Sequence, residues 1–139
     1  MTFSSIMIWP MIAHAALVFG LYYLLSSRRI GAVRSGTAKA EQFKENRDEP
    51  VESLLIHNNL KNQFELPLLF HVVCLLLYLT TADNVVTALL AWAFVLSRYV
   101  HSYVHITSNR LRHRRPIWIT GFFILIALWI WLAVWLALD

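Results

Sequence analysis

Residues 6–25 pass without one charged side chain, about the length that crosses a ~30 Å hydrocarbon core as a helix. Residues 117–138 do the same at the other end of the chain. A chain of 139 residues that spends so much of itself on two such runs has no room for a soluble domain beside them. With 58% hydrophobic and only 14% charged residues, and a mean hydropathy of +0.56, a water-soluble fold is excluded. The expected fold is an all-α membrane protein, a single domain built as a four-transmembrane-helix bundle. Its spans are expected at about residues 6–27, 51–81, 85–108 and 116–138, with loops at 28–50 and 109–115. No basic residue precedes the first run, so it is expected to be a span and not a signal peptide. Cys74, the sole cysteine, cannot form an internal disulfide and is expected to be a small buried hydrophobe.

The charges orient such a bundle. Arg28, Arg29, Arg34, Lys39, Lys44 and Arg47 fall in the first loop and Arg110, Arg112, Arg114 and Arg115 in the second. The amino terminus, the 80–84 turn and the carboxyl terminus carry no basic residue. The positive-inside rule then predicts cytoplasmic loops and outside termini in a multi-pass protein of the inner or plasma membrane. The pI of about 9.6 follows from this asymmetry and calls for no nucleic-acid partner.

Two clusters of polar groups interrupt the apolar sequence. On continuous helices, Asn58, Asn62 and Glu65 fall at i, i+4 and i+7, and Arg98, His101 and His105 at i, i+3 and i+7, so each set forms one stripe. Polar groups inside a bilayer face a protein interior or a wet site and commonly mark function. An unpaired buried ion is costly, so Glu65 and Arg98 are expected to form a salt bridge. Counted at ~1.5 Å per residue from the outer helix ends, Glu65, Arg98, His101 and His105 lie roughly 20–30 Å deep. That is the cytoplasmic third of the membrane, where a cavity suits a ligand with an anionic head, and a lipophilic partner can arrive through lipid.

The Asn62-Gln63-Phe64-Glu65 step followed by Pro67 and Phe70, the Arg98-x-x-His101 step one helix later, and Arg115-Pro116 before the last span resemble the MAPEG family. These are membrane-associated proteins in eicosanoid and glutathione metabolism, and the chain is similar to a divergent bacterial-type member. The resemblance implies a homotrimer of four-helix protomers with glutathione, as co-substrate, bound between subunits on the cytoplasmic side. It places Asn62, Glu65, Arg98 and His101 in the glutathione-holding core, with Asn58 where several members carry arginine. It also exposes departures. His105 stands where catalytic branches have a tyrosine, and Trp118 where one branch has a thiolate-activating arginine. Arg112 or Arg114, just before the proline, could take over that activation, and His105 could serve as donor or base. A guanidinium near the glutathione thiol favours the reactive thiolate, which would conjugate or reduce a lipophilic electrophile.

Two other classes fit the same residues. A non-catalytic lipid-binding or scaffold member of the family is consistent with both departures. An intramembrane metal site could use His101 and His105, at i and i+4, with His57, His71, Glu65 or His113 completing the set.

Overall fold

The computed structural model describes residues 5–138. Among these residues six helices follow one another: α1 Ile8–Arg34, α2 Ala40–Glu45, α3 Val51–Gln63, α4 Leu66–Leu79, α5 Val85–Ile106 and α6 Leu111–Leu138. No strand occurs among the described residues. Four stretches, α1, the α3–α4 pair, α5 and α6, are long and apolar enough to cross a membrane. They run alternately up and down, so the 35–50 connection and the 107–110 turn lie at one end, here called the loop end. The 80–84 turn lies at the other.

The bundle is apolar outside and partly polar inside. Phe19, Leu68, Leu79, Leu89, Leu96 and Phe123 are exposed, as side chains that meet lipid must be. Phe70, Val73, Cys74, Leu77, Phe94 and Leu128 are fully buried in the main apolar core, with the Phe70 and Phe94 rings stacked at 4.5 Å. Leu21, Leu25, Ile56 and Leu60 form a smaller cluster between α1 and α3. Cys74 is thus a core hydrophobe.

The spans differ from the expected bounds at three places. α1 continues to Arg34 instead of ending near residue 27, because nothing after Leu25 breaks a helix until Gly36, whose φ of 75° favours glycine. α6 begins at Leu111 and carries Pro116 inside it, so Arg112, Arg114 and Arg115 sit on its first turns and not in a loop. Pro116 falls in the second turn, where the helix forgoes the one bond its amide would make to the Arg112 carbonyl. The compact turn before it is made by Asn109, at φ 48°, a conformation asparagine tolerates well.

The third difference bears most on function. The expected continuous helix over 51–81 is two helices, interrupted at Phe64 and Glu65. Pro67 supplies the cause: in a continuous helix its ring would collide with the carbonyl of Gln63, and its preceding residue resists the α conformation. The chain therefore ends α3 at Gln63 and restarts with Pro67 in the first turn of α4, where proline is tolerated. At the far end the α5 start is closed by a capping box. Asn84 accepts from Val86 N at 2.8 Å and Thr87 N at 3.2 Å, while Thr87 Oγ1 accepts from Asn84 N at 2.9 Å.

Candidate functional site

The break between α3 and α4 dissolves the first polar stripe. Helical phase no longer carries from Asn62 to Glu65, and Glu65 and Asn58 are exposed on the outside of the protomer while Asn62 is half-buried. Among the described residues no ion pair joins Glu65 to Arg98. The expected salt bridge is absent because Pro67 turns the carboxylate away.

The second stripe survives intact. α5 is unbroken, and Arg98, His101 and His105 are 1%, 2% and 3% exposed. The Arg98 guanidinium lies over the Phe94 ring at 5.3 Å, with Nε donating to Ser97 Oγ at 3.3 Å and Nη2 reaching the Trp118 carbonyl at 3.5 Å. None of these partners is an acid, so among the described residues of one protomer this buried cation has no counter-charge. His101 and His105 pack edge to face at 5.7 Å, and His101 Nδ1 is buried with no hydrogen-bond partner. His105 Nδ1 meets Asn62 Nδ2 at 3.5 Å.

Next to this stripe, α5 and the start of α6 wall a cavity of about 250 Å³, lined by Asn62, His101, Leu111, Arg114, Arg115 and Trp118. Arg114 is held by Asn109, whose Oδ1 accepts from Nη1 at 2.6 Å. Arg112 is exposed and does not line the cavity, because the 100° step per residue of α6 carries it to another face. The lining offers amide, imidazole and guanidinium donors and no carboxylate. Such a set binds an anion or an acceptor-rich group through charge-assisted hydrogen bonds.

Of the residues singled out from the sequence, the fold therefore brings together Asn62, Arg98, His101, His105 and Arg114. Asn58, Glu65 and Arg112 are left outside. The metal reading loses its ligand set, since among the described residues no group of three or more His, Cys, Asp or Glu could hold an ion.

Other polar residues meet inside the bundle, away from this cavity. His14 Nε2 bonds Gln63 Oε1 at 3.0 Å, His14 Nδ1 meets His71 Nε2 at 3.0 Å, and Gln63 Nε2 donates to Asn59 Oδ1 at 3.1 Å and Ser102 Oγ at 3.2 Å. His71 had been weighed only as a metal ligand. The signal for the rest was present: Asn59 and Gln63, at i and i+4, make a second polar stripe one residue out of phase with Asn58 and Asn62.

At the loop end Glu49 is clamped. Its carboxylate accepts from Arg29 Nε at 2.8 Å and Nη2 at 3.1 Å, and His57 Nδ1 lies 3.3 Å away. Burial alone would raise its pKa, but the hydrogen bonds from Arg29 and Ser53 and the charges of Arg29 and His57 outweigh that, holding it below the ordinary value. The clamp ties the 35–50 connection to α1 and α3.

No curated protein and no solved structure matches this chain. The sequence does match the MAPEG family over residues 7–134. That match runs from the start of α1 into the last turns of α6, taking in all four membrane-crossing stretches and both walls of the cavity, and the chain therefore belongs to the MAPEG family.

Proposed function

We propose that the protein binds glutathione as a co-substrate at the loop end of the bundle, in a homotrimer that completes each site with a neighbouring subunit. The observation that carries this is the cavity where Asn62, His101, Arg114 and Arg115 converge, with the uncompensated Arg98 one turn of α5 from His101. Glutathione brings two carboxylates, which guanidinium groups hold through paired, charge-assisted bonds. The MAPEG family is generally associated with glutathione, which supports the same ligand. At about 250 Å³ the space within one protomer falls short of the ~300 Å³ at which small-molecule sites begin. A second subunit supplying the other wall accounts for that shortfall. It would also cover Asn58 and Glu65, polar residues that are exposed within a membrane-crossing stretch. The ten basic residues of the two loop-end segments support a cytoplasmic position for this end, where glutathione would be met.

Arg114 is the arginine placed to favour the thiolate, which would then attack a lipophilic electrophile arriving through the bilayer. His105, bonded to Asn62, occupies the position of the catalytic tyrosine of related branches. A second reading, a non-catalytic lipid-binding or scaffold protein that keeps the pocket without the chemistry, is favoured by that replacement and by Trp118 in place of an arginine.

Isothermal titration of the purified protein in mild detergent tests the binding. Glutathione should give saturable heat in the millimolar range or below. Arg114→Ala should weaken it roughly tenfold or more, the cost of a charge-assisted bond, and Arg112→Ala should leave it unchanged. Absence of heat from the wild type would refute the proposal. Turnover of a chromogenic electrophile in the presence of glutathione then separates the enzyme from the non-catalytic reading.

A further inference from the structure

The bundle contains a buried hydrogen-bonded chain that touches no part of the cavity. It links His71 on α4, His14 on α1, Gln63 at the end of α3, and Asn59 and Ser102 on α3 and α5. Chemistry fixes its direction. Gln63 Oε1 can only accept, so His14 Nε2 carries a proton; neutral His14 then accepts at Nδ1, and His71 Nε2 donates to it. Beyond Gln63 the amide donates to Asn59 Oδ1 and Ser102 Oγ, and the Ser102 hydroxyl donates to Asn59 Oδ1 at 3.2 Å. Gln63 is 3% exposed, His14 1% and Asn59 0%, so water cannot replace a bond that is lost.

The chain grips the molecule at the break between α3 and α4. Phe64, the residue closing α3, offers no side-chain cap, and Pro67 forbids α4 from continuing the helix. The backbone bond from Phe64 N to the Lys61 carbonyl at 3.0 Å closes the last turn of α3, but it does not set how that turn faces α1 and α5. The side chain of Gln63 does so, by joining α1 to α5 through His14 and Ser102. Its sequence neighbour Asn62 lines the cavity and meets His105, and the sequence neighbour of Ser102 is His101, whose unpartnered Nδ1 is buried beside that cavity. One residue of rotation is about 100°, enough to carry Asn62 away from the ligand.

We infer that His14 and Gln63 are positioning residues for the proposed glutathione site: they hold the broken end of α3 in the rotation that presents Asn62 and, through Ser102, keep His101 in register with it. This rests on the glutathione reading of the cavity. Neither residue touches the ligand.

The test is glutathione titration of the full chain in detergent, with melting temperatures recorded in parallel. His14→Phe keeps a ring in the space but removes the donor to Gln63. It should weaken binding about tenfold, the scale of one lost buried hydrogen bond. His14→Gln restores an amide donor and should return affinity to within roughly threefold of the wild type. A rescue of this kind is not expected of a residue that merely fills volume. If His14→Phe melts far below the wild type, Ser102→Ala, which removes one acceptor of the Gln63 amide and one donor to Asn59 Oδ1, decides instead and should weaken binding several-fold. Wild-type binding that His14→Phe leaves unchanged, that His14→Gln fails to rescue, or, in the unstable case, that Ser102→Ala leaves unchanged overturns the positioning role alone. No binding by the wild type overturns the glutathione reading itself.

Discussion

Arg98 shows most clearly how one side chain sets the chemistry around it. A guanidinium with an aromatic ring, a hydroxyl and a carbonyl for company is poorly compensated, and burying such a charge costs stability that an anion would restore. Arg98→Met should accordingly raise the melting temperature of the ligand-free protein while abolishing glutathione binding, a split that circular dichroism and titration read separately. Gly121 makes room for this arrangement on α6. A Cβ there would lie 2.7 Å from Ser97 Oγ and would run into the Arg98 guanidinium. Gly121→Ala should therefore destabilise the bundle by about 1–3 kcal/mol, typical of overpacking, seen as a lower melting temperature, and should weaken glutathione binding by displacing Arg98. That Arg98, His101 and His105 share one buried face was legible from spacing alone, because α5 has nothing in it that interrupts a helix. Gly121 was not legible, since its neighbours come from another helix.

At the scale of elements, the second span decides what could be foreseen. Its apolar content announced a membrane crossing, and the start expected at residue 51 falls at Val51. Pro67 was visible too, yet its consequence for phase was not carried through to Glu65, and the Glu65–Arg98 pair failed for that reason. The apolar pattern also concealed where α6 begins, since a helix can extend past the bilayer on polar residues without any hydrophobic signal. Replacing the breaker should expose its role. Pro67→Ala frees α3 and α4 to join, which moves Asn62 out of the cavity and breaks the Gln63 contacts. Glutathione affinity should fall at least tenfold while helical content rises slightly, a pair of changes that titration and far-ultraviolet circular dichroism would detect together. Unaltered affinity would show that the break is incidental to the site.

The molecule as a whole is a lipid-facing bundle with a charged, clamped end. Its class and span count were legible because a bilayer demands long apolar helices whatever their packing. The clamp at Glu49 was not, because Arg29, Glu49 and His57 are far apart in sequence and meet only through the folding back of the 35–50 connection. The pKa of Glu49 is depressed in the folded state, so its stabilisation is complete above the ordinary carboxylate range and is lost as pH falls through the lower folded value. Melting temperatures in detergent should therefore decline as pH falls below about 5, and Glu49→Gln should be less stable at neutral pH with a flatter profile on that acid side. The central claim, that the basic cavity at the loop end is the ligand site of a trimer, is met most directly by an electron cryomicroscopy structure of the protein in nanodiscs with millimolar glutathione. It should show three protomers, with ligand density bonded to Arg114 and Asn62 beside His101 and walled on its far side by the neighbouring subunit. A monomer, or glutathione density away from that cavity, would contradict it.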